Sequence, residues 1–286
     1  MKWQDFGRSA NVEDRRGAGG MVGKGGLGIG TVAVLGLIGW ALGIDPRLLI
    51  GGAEMVNQMR QGSQTQSVQT GTPADNMGQF VSAILAGNES VWTEVLPQQK
   101  GISYEKPVLV LYSGQTVSRC GGAQSAMGPF YCPLDHKVYL DTTFFDDMKR
   151  RLGGGGDFAY AYVIAHEVGH HVQNLLGILP KVQAAQRSAF SRGDANSLSV
   201  RVELMADCLA GVWAANAEQK YRFLQPGDLE AAVNTAQAIG DDRLQKAAQG
   251  YAVPDSFTHG SSTQRVQWLS VGLRSGQVDS CNTFAR

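Results

Sequence analysis

The chain carries no net charge, with Lys+Arg 25 against Asp+Glu 25 over 286 residues. Without a basic excess there is no electrostatic footprint for nucleic acid, and no such partner is expected. No internal repeat is present. The four cysteines include no C-x-x-C pair, which argues against a cysteine-rich structural metal site. The glycine-rich string GAGGMVGKGG falls short of a phosphate loop, because Ala18 stands where the first glycine is needed and Gly25 replaces the Ser or Thr.

Long apolar runs are scarce too, and the single exception lies near the start. Leu27 to Ile44, LGIGTVAVLGLIGWALGI, has no charged residue and suits the hydrocarbon core of a bilayer. Lys2, Arg8, Arg15, Arg16 and Lys24 precede it, and Asp45 and Arg47 follow. This pattern predicts a cytoplasmic basic leader over 1–25, one transmembrane anchor over 26–44, a polar linker over 45–78 and a domain over 79–286. By the positive-inside rule the N-terminus stays in the cytoplasm and the domain is periplasmic or otherwise extracytoplasmic, on a single-pass protein of the bacterial inner membrane. No small-x-small cleavage site follows, so a signal peptide is the poorer reading. Gly26/Gly30 and Gly39/Gly43 are spaced for close helix packing and suit a homo-oligomer formed through the anchor.

Beyond the linker, QFVSAILAGNESVWTEVLPQQ spaces Phe80, Ile84, Val91, Trp92 and Val95 as an amphipathic helix, with an interruption expected at Gly87. KPVLVLYS reads as a strand, and FYCPLDHKVYLD as two short strands around Tyr131 and Val138–Leu140. Helices follow at TTFFDDMKRRL, from Asp157 (as N-cap) to Leu176, at SLSVRVELMADCLAGVWAANAEQ, at PGDLEAAVNTAQAIGDDRLQKAAQ and at SSTQRVQWLSVGL. A small strand-bearing N-terminal part followed by a mainly helical C-terminal part is an α+β layout.

The chemistry concentrates in AHEVGHHVQ, Ala165 to Gln173. On a helix His166 and His170 share one face a turn apart and can bind one tetrahedral Zn²⁺. Glu167 lies beside them, placed to act as general base on water rather than as a ligand. Five letters arise by chance, but the apolar neighbours Ala161, Tyr162, Val163, Ile164, Ala165 and Val168 bury this helix, and unpartnered imidazoles there would be costly. Gly169 leaves room for another element to approach. A third ligand is required, and VRVELMADCLAG offers Glu203 and Asp207 on one face of an otherwise apolar helix. Glu203 is assigned as third ligand. Asp207, one turn on, accepts the Nδ1–H of a ligating histidine and fixes its tautomer.

Together with CGGAQSAMGPFYCPLDHKVYLD upstream, FTHGSSTQRVQW downstream and the leader MKWQDFGRSANVEDRRG, these blocks resemble the bacterial neutral zinc metallopeptidase family over most of the chain outside the linker. The resemblance implies a zincin-type protease fold with His166 and His170 as ligands and Glu167 catalytic. The Glu203-x-x-x-Asp207 pair is similar to that of gluzincins.

His171 points about 100° away from His170, so a hydrogen-bonding or surface role is expected. His259 could help stabilise the oxyanion of a tetrahedral intermediate, or simply belong to a helix-capping neighbourhood. Tyr160 and Tyr162 read as packing. The strand Lys137–Asp141 is a candidate edge for adding an extended peptide. Cys120, Cys132, Cys208 and Cys281 allow three pairings. Outside the cytoplasm disulfides are permitted, and Cys120–Cys132 with Cys208–Cys281 is favoured.

The expected protein is thus a membrane-anchored zinc metallopeptidase, acting on peptides or proteins as an endopeptidase with one Zn²⁺ per chain. The alternative is a metal-binding, membrane-tethered scaffold or chaperone without turnover. An intramembrane protease is excluded, since no second long apolar run exists to surround the motif.

Overall fold

A computed structural model describes residues 1–16, 68–125, 128–151 and 155–285. Helix α1, Asn76–Lys100, opens at Asp75, whose side chain accepts the Gly78 N–H, and stops at Gly101 in the left-handed conformation. It buries Phe80, Ile84, Leu85, Val91, Trp92 and Val95. The interruption expected at Gly87 is absent. A Cβ there would lie 2.7 Å from the Phe6 ring, so the glycine admits an aromatic side chain from the N-terminus rather than breaking the helix.

The main sheet has five strands in the order β2-β1-β3-β7-β6: β1 Val12–Asp14, β2 Gln69–Thr70, β3 Val108–Tyr112, β6 Phe130–Cys132 and β7 Lys137–Asp141. β1, β3 and β7 run parallel, in register Val12↔Leu109 and Leu109↔Val138, while β2 and β6 are antiparallel edges. A separate hairpin joins β4, Gln115–Ser118, to β5, Gly121–Gln124. Lys137–Asp141 is therefore not an edge. It is enclosed between β3 and β6, and its near-continuous burial is what an interior strand needs. The edge on that side is β6.

Helix α2, Thr143–Arg151, follows the sheet, and α3, Asp157–Leu175, carries the histidine motif. Gly156 rather than Asp157 stands at the N-cap of α3, and the Asp157 carboxylate accepts from Trp3 Nε1 instead. α4, Ile178–Arg187, is a helix not expected from the sequence. α5, Arg192–Tyr221, begins several residues before its expected start, with Ser191 as its cap. Gly240 divides the next expected helix into α6, Asp228–Ala238, and α7, Asp241–Gln249. A Cβ at Gly240 would collide with the Ser262 backbone. α8, Ser262–Ser275, opens with a capping box between Ser261 and Gln264. It packs backbone to backbone on α5, where Gly272 meets the Cys208 carbonyl and Gly211 meets Leu269.

Both favoured disulfides are present: Cys120–Cys132 ties the hairpin to β6, and Cys208–Cys281 ties α5 to the C-terminal 3-10 turn Val278–Cys281. The linker read as ending at residue 78 ends earlier, since β2 and the start of α1 precede that point.

The first sixteen residues belong to this fold, contrary to the expectation of a separate leader. Phe6 is buried against Trp213, Tyr221 and Phe223, and Trp3 packs edge-on to Phe80. Ser9 donates to buried Glu89, and β1 is an interior strand. The expected anchor over 26–44 lies outside the described residues, as does most of the linker. Among the described residues no helix is long and apolar enough to cross a membrane.

Candidate metal centre

Two helices build the site. α3 and α5 cross at Gly169, where a Cβ would sit 3.1 Å from the Ala206 carbonyl oxygen. That close approach brings Glu203 and Asp207 of α5 opposite the histidines of α3. His166, His170 and Glu203 each offer one ligand atom, all within 4.8 Å of one another.

The hydrogen bonds on the far sides of the rings set their tautomers. His166 Nδ1 lies 2.8 Å from Asp207 Oδ1, a carboxylate that can only accept, so the proton resides on Nδ1. His170 Nδ1 lies 2.9 Å from Gln173 Oε1. The Gln173 amide is oriented in turn, because its Nε2 donates to the Val202 carbonyl at 2.7 Å. Both Nε2 lone pairs therefore face Glu203, at 3.1 Å from His166 and 3.5 Å from His170. Neutral rings would repel the carboxylate at these distances, so the arrangement calls for positive charge there, supplied by ring protons when the site is empty or by a metal ion when it is filled. Zinc bonds of roughly 2.0–2.1 Å to nitrogen and oxygen give a tetrahedral edge of about 3.3 Å. The residues thus fit zinc both in donor type and in spacing.

The local field favours positive charge at this point. Burial works against an imidazolium at His166, yet Asp207 and Glu203 outweigh it and raise its pKa to about 10. His170 is raised in the same way, with Glu203 overcoming burial. Burial alone would lift the Glu203 carboxyl, but the two histidines hold it well below the usual carboxylate range. Glu167 behaves oppositely: burial raises it, and the neighbouring histidines offset this only in part. A carboxyl raised toward neutrality is the form suited to proton transfer.

Asp207 is fully buried and fully engaged. Its Oδ1 accepts from His166 Nδ1, from Tyr162 Oη at 2.5 Å and from one guanidinium nitrogen of Arg265 at 2.9 Å, while Oδ2 accepts from Arg265 Nε at 2.9 Å. Burial pushes this carboxyl up, but Arg265 and His166 bring it down to about 2. Tyr162 is thus a donor to Asp207 as well as a packing residue. Arg265 and Gln173 were not anticipated. The signal for Arg265 is a charged residue on the buried face of α8, but nothing in the sequence pairs it with Asp207.

His259 stands at the rim, with its side chain about half exposed. Asp241 organises this loop: Oδ2 accepts the backbone N–H groups of Thr258, His259 and Gly260, and Oδ1 lies 3.3 Å from His259 Nδ1. The Asp241 contact raises the His259 pKa against burial, and Glu203 is near enough to add to the effect. Asp241 also escaped sequence reasoning.

His171 lies off the site. Its Nε2–H donates to the Glu105 carbonyl at 2.6 Å, so Nδ1 accepts from Tyr131 Oη at 2.9 Å. Both bonds hold neighbouring chain against α3, the hydrogen-bonding role expected of it.

The sequence profile of the family described as "Putative neutral zinc metallopeptidase" matches residues 1–284. The chain is similar to "Uncharacterized protein YpfJ" of Escherichia coli (strain K12), 48% identical over 298 residues that cover 100% of this chain and 99% of that protein. It is also similar to "Uncharacterized protein Rv2575" of Mycobacterium tuberculosis (strain ATCC 25618 / H37Rv), 38% identical over 258 residues that cover 85% of this chain and 84% of that one. No solved structure matches at a significant level. With matching motifs and a profile spanning nearly its whole length, the chain belongs to the neutral zinc metallopeptidase family.

Proposed function

We propose that this protein is a zinc-dependent peptidase that hydrolyses internal peptide bonds, with His166, His170 and Glu203 holding one Zn²⁺ and Glu167 as general base. The observation that carries this reading is the orientation of both imidazoles. Outer acceptors take each Nδ1 proton, so both Nε2 atoms point at Glu203 and become metal-ligating lone pairs when the rings are neutral. A zinc ion held there supplies Lewis acidity, polarising a carbonyl and making water more acidic.

The chain's own residues do the rest. Glu167 takes a proton from the attacking water and delivers it to the nitrogen of the departing amine, one group serving as base and then as acid. Its buried position keeps that proton from bulk solvent. His259, held by Asp241 and favouring the protonated form, offers an N–H toward negative charge developing on the substrate oxygen. The paired disulfides suit an oxidising compartment, and the apolar run 27–44 suits membrane attachment. We therefore place the domain outside the cytoplasm at the inner membrane.

The reading is tested by incubating the purified protein with an unfolded protein substrate. Cleavage at internal bonds, abolished by chelator and restored by added zinc, is expected. Tight zinc binding with no cleavage products would replace a peptidase with a metal-bound scaffold.

A further inference from the structure

The apolar run 27–44 lies between two segments that the fold brings together. Before it, β1 is an interior strand of the main sheet, paired on one side with β3 and on the other with β2. After it, β2 pairs antiparallel with β1, in register Glu13↔Thr70 and Asp14↔Gln69. The chain therefore leaves at Arg16 and is back at Val68 beside the same end of the same strand pair. Arg16 secures this neck by bridging Asp14 and Asp75, the latter being also the N-cap of α1.

Residues 1–16 are bound to the domain at several points along their length. The Met1 amine meets Asp228, the Lys2 N–H donates to the Phe223 carbonyl, and Phe6 fills the space left by Gly87. A bilayer core about 30 Å thick cannot separate residues hydrogen-bonded at 2.9 Å. Three of the five basic residues that suggested a cytoplasmic N-terminus, Arg8, Arg15 and Arg16, have structural partners. Arg15 pairs with Glu13, Arg16 with Asp14 and Asp75, and Arg8 bonds Gln79 and lies over Trp3. Arginines paired or packed within a fold are poor topology signals, because the positive-inside rule counts free cations in short loops.

We infer that residues 1–16 and the metal-binding domain lie on the same side of the membrane, and that the β1–β2 edge is the face the domain turns toward the lipid surface. The single-pass arrangement with a cytoplasmic N-terminus is thereby replaced. Two flanks on one side require an even number of crossings or attachment from one side only. The inference rests on the membrane attachment proposed above but is independent of the metal chemistry.

The test uses the full-length protein in its native membrane. Gln4 and Lys246 are exposed positions in the N-terminal segment and in α7. The variants Gln4→Cys and Lys246→Cys are treated in spheroplasts with a membrane-impermeant maleimide, before and after permeabilisation. Both should label together before permeabilisation, and joint labelling only afterwards would keep the same-side inference while moving the domain to the cytoplasm. Labelling of one before and the other only after would overturn it. Fractionation separates the two premises: a protein washed wholly from the membrane pellet overturns the lipid-facing edge but leaves peptidase activity to its own assay. Phe6→Ala in the full chain guards against rearranged cysteines. A midpoint lowered by several degrees is expected, and an unchanged one would detach the N-terminus from the domain.

Discussion

Arg265 and Asp207 form a buried two-point ion pair, both contacts at 2.9 Å, and the same carboxylate accepts the Nδ1 proton of His166. The arginine keeps Asp207 ionised where burial would protonate it, and an ionised Asp207 fixes the ring that presents Nε2 to the metal. Asp207→Asn should weaken zinc binding by roughly 10–100-fold, as such outer partners do. Arg265→Ala strands a buried carboxylate and should cost about 3–5 kcal/mol of stability. Chelator competition and denaturant unfolding measure the two effects; unchanged zinc affinity in Asp207→Asn would remove the orienting role.

His259 and Asp241 should act on turnover rather than on metal. His259→Asn is expected to lower kcat by about 10² with zinc content retained. The Asp241 contact raises the His259 pKa, so activity that needs the protonated ring falls off above its ordinary range near 6.5. Asp241→Asn should shift that basic limb of the pH–rate profile to lower pH. A limb that does not move would assign it to another group.

His171 predicts acid sensitivity of the fold. Burial lowers its pKa to about 4, whereas the unfolded chain protonates it near 6.5. Between those values the unfolded state binds the extra proton, so stability rises with pH across the window and is lost as pH falls through it. The full effect is about 3 kcal/mol at ~1.4 kcal/mol per pKa unit. Unfolding measured at pH 7 and pH 4.5 should show this loss in the wild type, and a smaller one in His171→Gln.

The disulfides should differ in weight. Cys208–Cys281 closes 73 residues and Cys120–Cys132 only 12. Chain entropy then gives about 4 and about 3 kcal/mol respectively. Double replacement by alanine at 208 and 281 should lower the thermal midpoint more than at 120 and 132. The reverse order would point to native-state packing around the hairpin.

The core of the site was legible because it follows helix periodicity. His166 and His170, like Glu203 and Asp207, sit four apart on apolar faces, and a buried polar group without a partner is conspicuous in such company. Arg265 was not legible, since its partner lies 58 residues earlier and only the packing of α8 on α5 joins them. Gln173 and Asp241 likewise act through tertiary contacts. Among the elements, α4 was missed because ILPKVQAAQR contains a proline near its start and a short apolar face. The packing of residues 1–16 was not legible either, because Phe6, Arg8 and Arg16 meet Trp213, Gln79 and Asp75, which are distant in sequence.

The most direct measurement is zinc stoichiometry alongside peptide hydrolysis in Glu167→Gln. Glu167 is a base and not a ligand in this account, so the variant should hold one zinc per chain, as the wild type does, while turnover falls by about 10²–10⁴. Loss of zinc from the variant, or cleavage at the wild-type rate, would contradict it.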